Sequence, residues 1–127
     1  MSWLFIDSSS RGELRLAVLP RTGRIRAKTV RRPRVNAPSA MSAFFTADDI
    51  SAASGVCVVA GPGSFSAVRG GVIAGNLLAR LGAKTLVGVS VDEARDLAAL
   101  RNRLAAGSVP ASPYVAPVYD AEPNITC

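Results

Sequence analysis

Two short clusters in the 127-residue sequence hold the residues from which a site could be built: Asp7-Ser8-Ser9-Ser10, and Gly61-Pro62-Gly63-Ser64. A carboxylate flanked by hydroxyls is the kind of group that meets Mg2+ and nucleotide phosphates, which makes Asp7 and Ser8 candidate nucleotide-binding residues. One carboxylate is a weak cation site, however, and hydrogen-bonding of a turn backbone is the plainer role for both. The glycine cluster follows an apolar, β-branched run at residues 56–60 and precedes a helical stretch reaching about Leu81. Strand, glycine turn and helix start leave free backbone N–H groups at the positive end of a helix dipole, a potential anion site.

Three familiar phosphate or nucleophile motifs use that geometry, and all three fail on the letters. A Walker A loop needs Lys-Ser/Thr after its last glycine, and no lysine lies between Lys28 and Lys84. The dinucleotide fingerprint needs a glycine where Ser66 stands. A nucleophile elbow needs glycines two residues either side of its serine, and Ser64 has Pro62 and Ser66. The sequence contains no histidine, which removes Ser-His-Asp and Cys-His catalysis and any histidine-ligated metal.

Composition bounds the rest. The chain is one domain's worth, 49% apolar, with no run long enough to span a membrane as a helix. Its first residues meet Asp7 too soon for a signal-peptide core, so a cytoplasmic protein with no membrane association is expected. Two cysteines, Cys57 within the apolar run and Cys127 at the end, fit a reducing compartment. A sequon at Asn124 then has no meaning. The net charge of +6 is concentrated at the start, where residues 1–35 hold eight arginines and Lys28 against Asp7 and Glu13. Such a face could meet RNA phosphates or be a solvated hairpin.

The elements that must position these clusters follow from periodicity. Residues 3–6 form an apolar strand. Residues 13–19 and 24–30 alternate as half-buried strands around a turn at Pro20-Arg21-Thr22-Gly23, and Pro33 ends the meander. Met41, Phe44 and Phe45 share one face of a short helix, and Thr46 with Asp49 caps a second. The strand at 56–60 and the long helix come next, with Gly82 as its C-terminal cap. A strand at 85–89 leads to a helix capped by Ser90 and Glu93 that runs to about Leu104. Residues 114–119 read as a final strand. An antiparallel meander followed by β-α-β crossovers predicts an α/β fold with a mixed five-stranded sheet and flanking helices.

The long helix also carries a ridge without side chains. Ala67, Gly71 and Gly75 recur every four residues, widened by Gly70 and Ala74. A helical glycine costs about 0.5–1 kcal/mol relative to alanine, so close packing must compensate. Two partners fit equally: the chain's own sheet, with Val68, Val72 and Leu78 docked beside the ridge, or a helix of another chain.

The glycine cluster in context resembles the TsaB (YeaZ) family, in which a strand runs into Gly-Pro-Gly-Ser-Phe-Thr-Gly-Val-Arg and a Val-Gly-Val-Ser strand end follows. Here these are Gly61-Pro62-Gly63-Ser64-Phe65-Ser66-Ala67-Val68-Arg69 and Val87-Gly88-Val89-Ser90. Ile6-Asp7-Ser8-Ser9 is similar to the family's Ile-Asp-Thr-Ser, and Val115-Ala116-Pro117-Val118-Tyr119-Asp120-Ala121 to its Val-Ala-Pro-Val-Leu-Asp-Ala. The basic stretch at 24–46 is least alike, and Ala67 and Gly70 depart from the usual residues of the ridge.

The resemblance implies a single actin-like (ASKHA, ribonuclease H-like) lobe over residues 1–106. Residues 107–127 would be a linker and the first strand of a second lobe that is otherwise absent. It further implies a non-catalytic scaffold subunit of the complex that makes threonylcarbamoyladenosine on transfer RNA. That subunit would pair with a TsaD-type catalytic subunit while a TsaE-type ATPase binds the pair; a homodimer is a further expected state. No catalytic residue, metal or cofactor is implied, because the two metal-binding histidines of the TsaD type have no counterpart. The expected partner surface is Ala67, Arg69, Gly71, Ala74, Gly75 and Leu78, with Met41, Phe44 and Phe45 beside it. The turn Gly61, Pro62, Gly63 and Ser64 would aim the helix.

Two alternatives remain on the residues alone. One is a nucleotide-binding or phosphotransferase fragment using Asp7 and the glycine turn. The other is a basic RNA-binding module, or a transfer RNA contact, using Arg15, Arg24, Arg26, Arg31 and Arg32 of the hairpin.

Overall fold

A computed structural model describes residues 2–32 and 36–119, with Phe65 and Ser66 described by their backbone only. Pro33, Cys127 and the sequon at Asn124 lie outside the described residues. Strands β1 (Ser2–Asp7), β2 (Glu13–Pro20) and β3 (Arg26–Arg31) form the expected meander. Helices α1 (Ala37–Phe44) and α2 (Ala47–Ala52) then lead into β4 (Ala53–Gly61), α3 (Phe65–Leu81), β5 (Thr85–Ser90) and α4 (Leu97–Ala105). The sheet order is β3-β2-β1-β4-β5, antiparallel on the hairpin side and parallel among β1, β4 and β5. This is the mixed five-stranded α/β architecture expected.

Strand alternation splits the core in two. Leu4, Ile6, Leu16, Val56 and Val58 face α1, α2 and α3, whereas Phe5, Ala17, Leu19, Cys57, Val59 and Val87 face α4. The central strands are covered on both sides, which is why β4 reads as one unbroken apolar run. Burial pushes the Cys57 thiol up to about 12.

Two elements differ from expectation. The reciprocal Ser90–Glu93 bonds form at 3.0 and 3.1 Å, but they close only a turn. The helix restarts at Asp96, whose carboxylate accepts from the N–H groups of Ala98 and Ala99. Residues 114–119 make no strand ladder; a single bridge joins Gly63 to Tyr119. The segment 107–119 nevertheless packs on the lobe, because Val109 and Val115 are buried in the two cores. Asn76 of α3 pins it, donating to Val115 O at 2.9 Å and accepting from Val115 N at 2.9 Å.

Candidate functional site

The glycine turn is a clamp between two segments of chain. Gly61 has φ +125°, and a Cβ there would collide with Val118 O. At Gly63 it would lie 2.5 Å from Ser9 O and from a Val68 methyl. Val118 N donates to Ala60 O at 2.7 Å and Gly63 N to Val118 O at 3.3 Å, so the turn is held on both sides. Pro62 is exposed at its tip. Ser64 is the N-cap by backbone geometry, but its hydroxyl makes no capping bond.

The first cluster is consumed in the same junction. The Ser8 hydroxyl donates to Ala67 O at 2.7 Å and accepts from Gly71 N at 3.0 Å, bridging a donor and acceptor one helical turn apart in α3. Only glycine at 71 allows this, since a Cβ would overlap Ser8 Oγ. The buried Asp7 carboxylate accepts from Ser9 N and the Ser9 hydroxyl through Oδ1, and pairs with Arg15 through Oδ2 at 3.3 Å. These bonds fit the plainer of the two roles the sequence left to Asp7 and Ser8, as turn and helix anchors.

The side-chain-free ridge faces inward. A Cβ on Gly75 would enter the Val58 side chain of β4, as one on Gly71 would enter Ser8 after β1. The close approach that the glycines permit at Gly71 and Gly75 is to the chain's own sheet, the first of the two partners the sequence left open. Ala67 is half-buried at the Ser8 bridge, and Ala74 and Leu78 pack against the same core. Met41 and Phe45 are core residues as well. Phe44 is half-buried, edge-on to Phe45 and covered by the Arg26 guanidinium at 5.0 Å. Of the residues expected to meet a partner, Arg69 is the exposed one.

What periodicity passed over is the opposite face of the same helix. Ile73, Leu77 and Leu81 are 51%, 53% and 85% exposed and stand at i, i+4 and i+8. Together with exposed Gly70 they form an apolar stripe pointing away from the sheet. The signal was present, since α3 carries aliphatic residues on both faces, but a stripe alone does not say which side meets the sheet.

The hairpin charges are partly spent within the lobe. Arg15, Arg26 and Arg31 pair with Asp7, Asp49 and Glu13. The Arg26 guanidinium, aided by the Thr46 N–H and hydroxyl, holds the Asp49 carboxyl down at about 2.

The described residues thus form an α/β lobe built on a mixed five-stranded sheet, with a glycine clamp at the start of α3 and an outward apolar face along that helix. No protein-family model and no curated protein matches the chain. Solved structures do match. YeaZ from Pseudomonas aeruginosa superposes with a TM-score of 0.58 at 23% identity, over 71% of this chain and 45% of its own. A second, described as an uncharacterized protein from Pseudomonas aeruginosa with similarity to peptidase YEAZ, gives 0.57 at 23% identity, over 70% and 43%. The chain therefore shares the YeaZ fold while spanning less than half the length of these neighbours. Among the described residues no helix is long and apolar enough to cross a membrane.

Proposed function

We propose that the chain is a non-catalytic, TsaB-like scaffold subunit that acts in the cytoplasm. It pairs with a TsaD-type catalytic subunit of the complex that makes threonylcarbamoyladenosine on transfer RNA, and a TsaE-type ATPase engages the pair. The observation that carries this reading is the exposed stripe of Ile73, Leu77 and Leu81 on a helix whose other face is locked to the sheet. Apolar side chains aligned on a rigid helix are what helix-to-helix association requires, and an exposed row of them marks an interaction surface. The likeness in fold to YeaZ and the Gly61, Pro62, Gly63 and Ser64 turn point the same way. Arg69, at the amino-terminal end of the same helix, supplies a polar rim.

The competing readings lose support from the same geometry. Asp7 and Ser8 are engaged in internal bonds rather than facing a nucleotide. Three of the five arginines expected to meet RNA are paired with neighbouring carboxylates, which leaves Arg24 and Arg32 of that set. Isothermal titration of a TsaD-type protein with this chain tests the proposal. Saturable binding is expected, with a negative heat-capacity change from the buried aliphatic stripe. Absence of binding heat at several temperatures contradicts it.

A further inference from the structure

The one tryptophan of the sequence walls a cavity on the far side of the molecule from the glycine turn. At the amino-terminal ends of β1, β4 and β5, a space of about 320 Å³ opens between the sheet edge and the last turns of α4. Trp3 stands opposite Gly55 in the β1–β4 register. A Cβ at Gly55 would run into three of the indole carbons, so the ring is seated against the bare backbone of the neighbouring strand. Leu19 and Leu104 continue the apolar wall, Ser54 adds a hydroxyl, and Arg21 and Arg101 bring two guanidinium groups.

The charge in this cavity is not balanced. Among the described residues no carboxylate lines it, and neither Arg21 nor Arg101 has an ion-pair partner. Arg101 is held in place by Gly23 O, to which Nη1 donates at 2.6 Å, while its buried Nε has no acceptor. A fixed guanidinium short of acceptors favours an anion, because hydrogen bonds to an ionised acceptor are the strong ones. A seated indole next to arginines favours a flat ring, which can stack on either. The volume is at the small end of the range for small-molecule sites.

We propose that this cavity binds a planar aromatic phosphate monoester of nucleoside monophosphate size. The ring lies against Trp3, and the dianionic phosphate is shared by Arg21 and Arg101. Two cations without a counter-charge match a dianion, which selects a phosphate monoester over a monocarboxylate. The site is independent of the α3 surface and of any assembly through it.

Because Trp3 is the sole tryptophan, its emission reports on the cavity directly. Titration of the full chain with adenosine 5′-monophosphate is expected to quench it saturably, with adenosine and inorganic phosphate at least about tenfold weaker. Arg21→Gln and Arg101→Gln should each weaken binding about tenfold, the scale of one lost charge-assisted hydrogen bond. Arg101 also tethers the hairpin turn, so if Arg101→Gln unfolds, Arg21→Gln carries the test. No saturable change at millimolar nucleotide, an equal response to adenosine, or native affinity in Arg21→Gln overturns the proposal.

Discussion

The two faces of α3 are both apolar but differ in side-chain size and in exposure. Inward, Val68, Gly71, Val72, Gly75 and Ala79 lie against β1 and β4, where a single added carbon at Gly71 or Gly75 has no room. Outward, Ile73, Leu77 and Leu81 are at least half exposed. Small residues draw the backbone onto the sheet, and the large residues stay at the surface. A glycine ridge therefore marks the helix face that meets the chain's own sheet, whereas the aliphatic stripe marks the face turned to solvent.

Substitutions on the inward side should have the largest effects. Gly75→Val drives its Cβ into the Val58 side chain, and should lower stability by about 3 kcal/mol, measured by urea unfolding. If it unfolds at the native midpoint, the ridge does not pack as described. Ser8→Ala removes the hydroxyl that joins Ala67 O to Gly71 N, and should cost about 1–3 kcal/mol, the penalty for buried groups left unsatisfied. A cost near zero would show that the helix closes this bond without help.

Acid sharpens the contrast by acting elsewhere. The Asp49 carboxyl lies near 2 rather than 3.8, so its contribution is complete above about pH 4 and is lost as pH falls through 2. Neither face of α3 carries an acid. Thermal midpoints should therefore fall from pH 4 to 2 in the native chain and less steeply in Asp49→Asn, which starts lower. Equal slopes in the two proteins would place the acid sensitivity outside the Arg26–Asp49 contact.

Periodicity was enough to find most of this fold. The alternation of residues 13–19, the apolar block 56–60 and the Thr46–Asp49 capping pair each became the element they suggested. The glycine turn was equally legible, because Gly61 and Gly63 stand where no side chain fits. The orientation of α3 was harder to see. Spacing reveals that a helix has two apolar stripes, but the choice between them depends on how closely the sheet can be approached, and that is decided by Ser8 and Val58, distant in sequence. Met41 and Phe45, buried in the core, were hard to place for a related reason, since an apolar helix face fits a core and an interface equally well. The Ser90–Glu93 capping signature was real but stopped at one turn, because Asp96 offers a second cap within the same stretch. The docking of Val115 could not be read at all, since it depends on Asn76 on another element.

Leu77→Glu, at the centre of the outward stripe, distinguishes an interface from bare surface. Leu77 is 53% exposed, so the substitution should leave the unfolding midpoint within about 0.5 kcal/mol of native. Sedimentation equilibrium of native chain mixed with a TsaD-type protein should show a complex, and Leu77→Glu should weaken it by about 30-fold or more, the scale of a central interface residue. A complex that forms equally well with Leu77→Glu would contradict the assignment of this face to a partner.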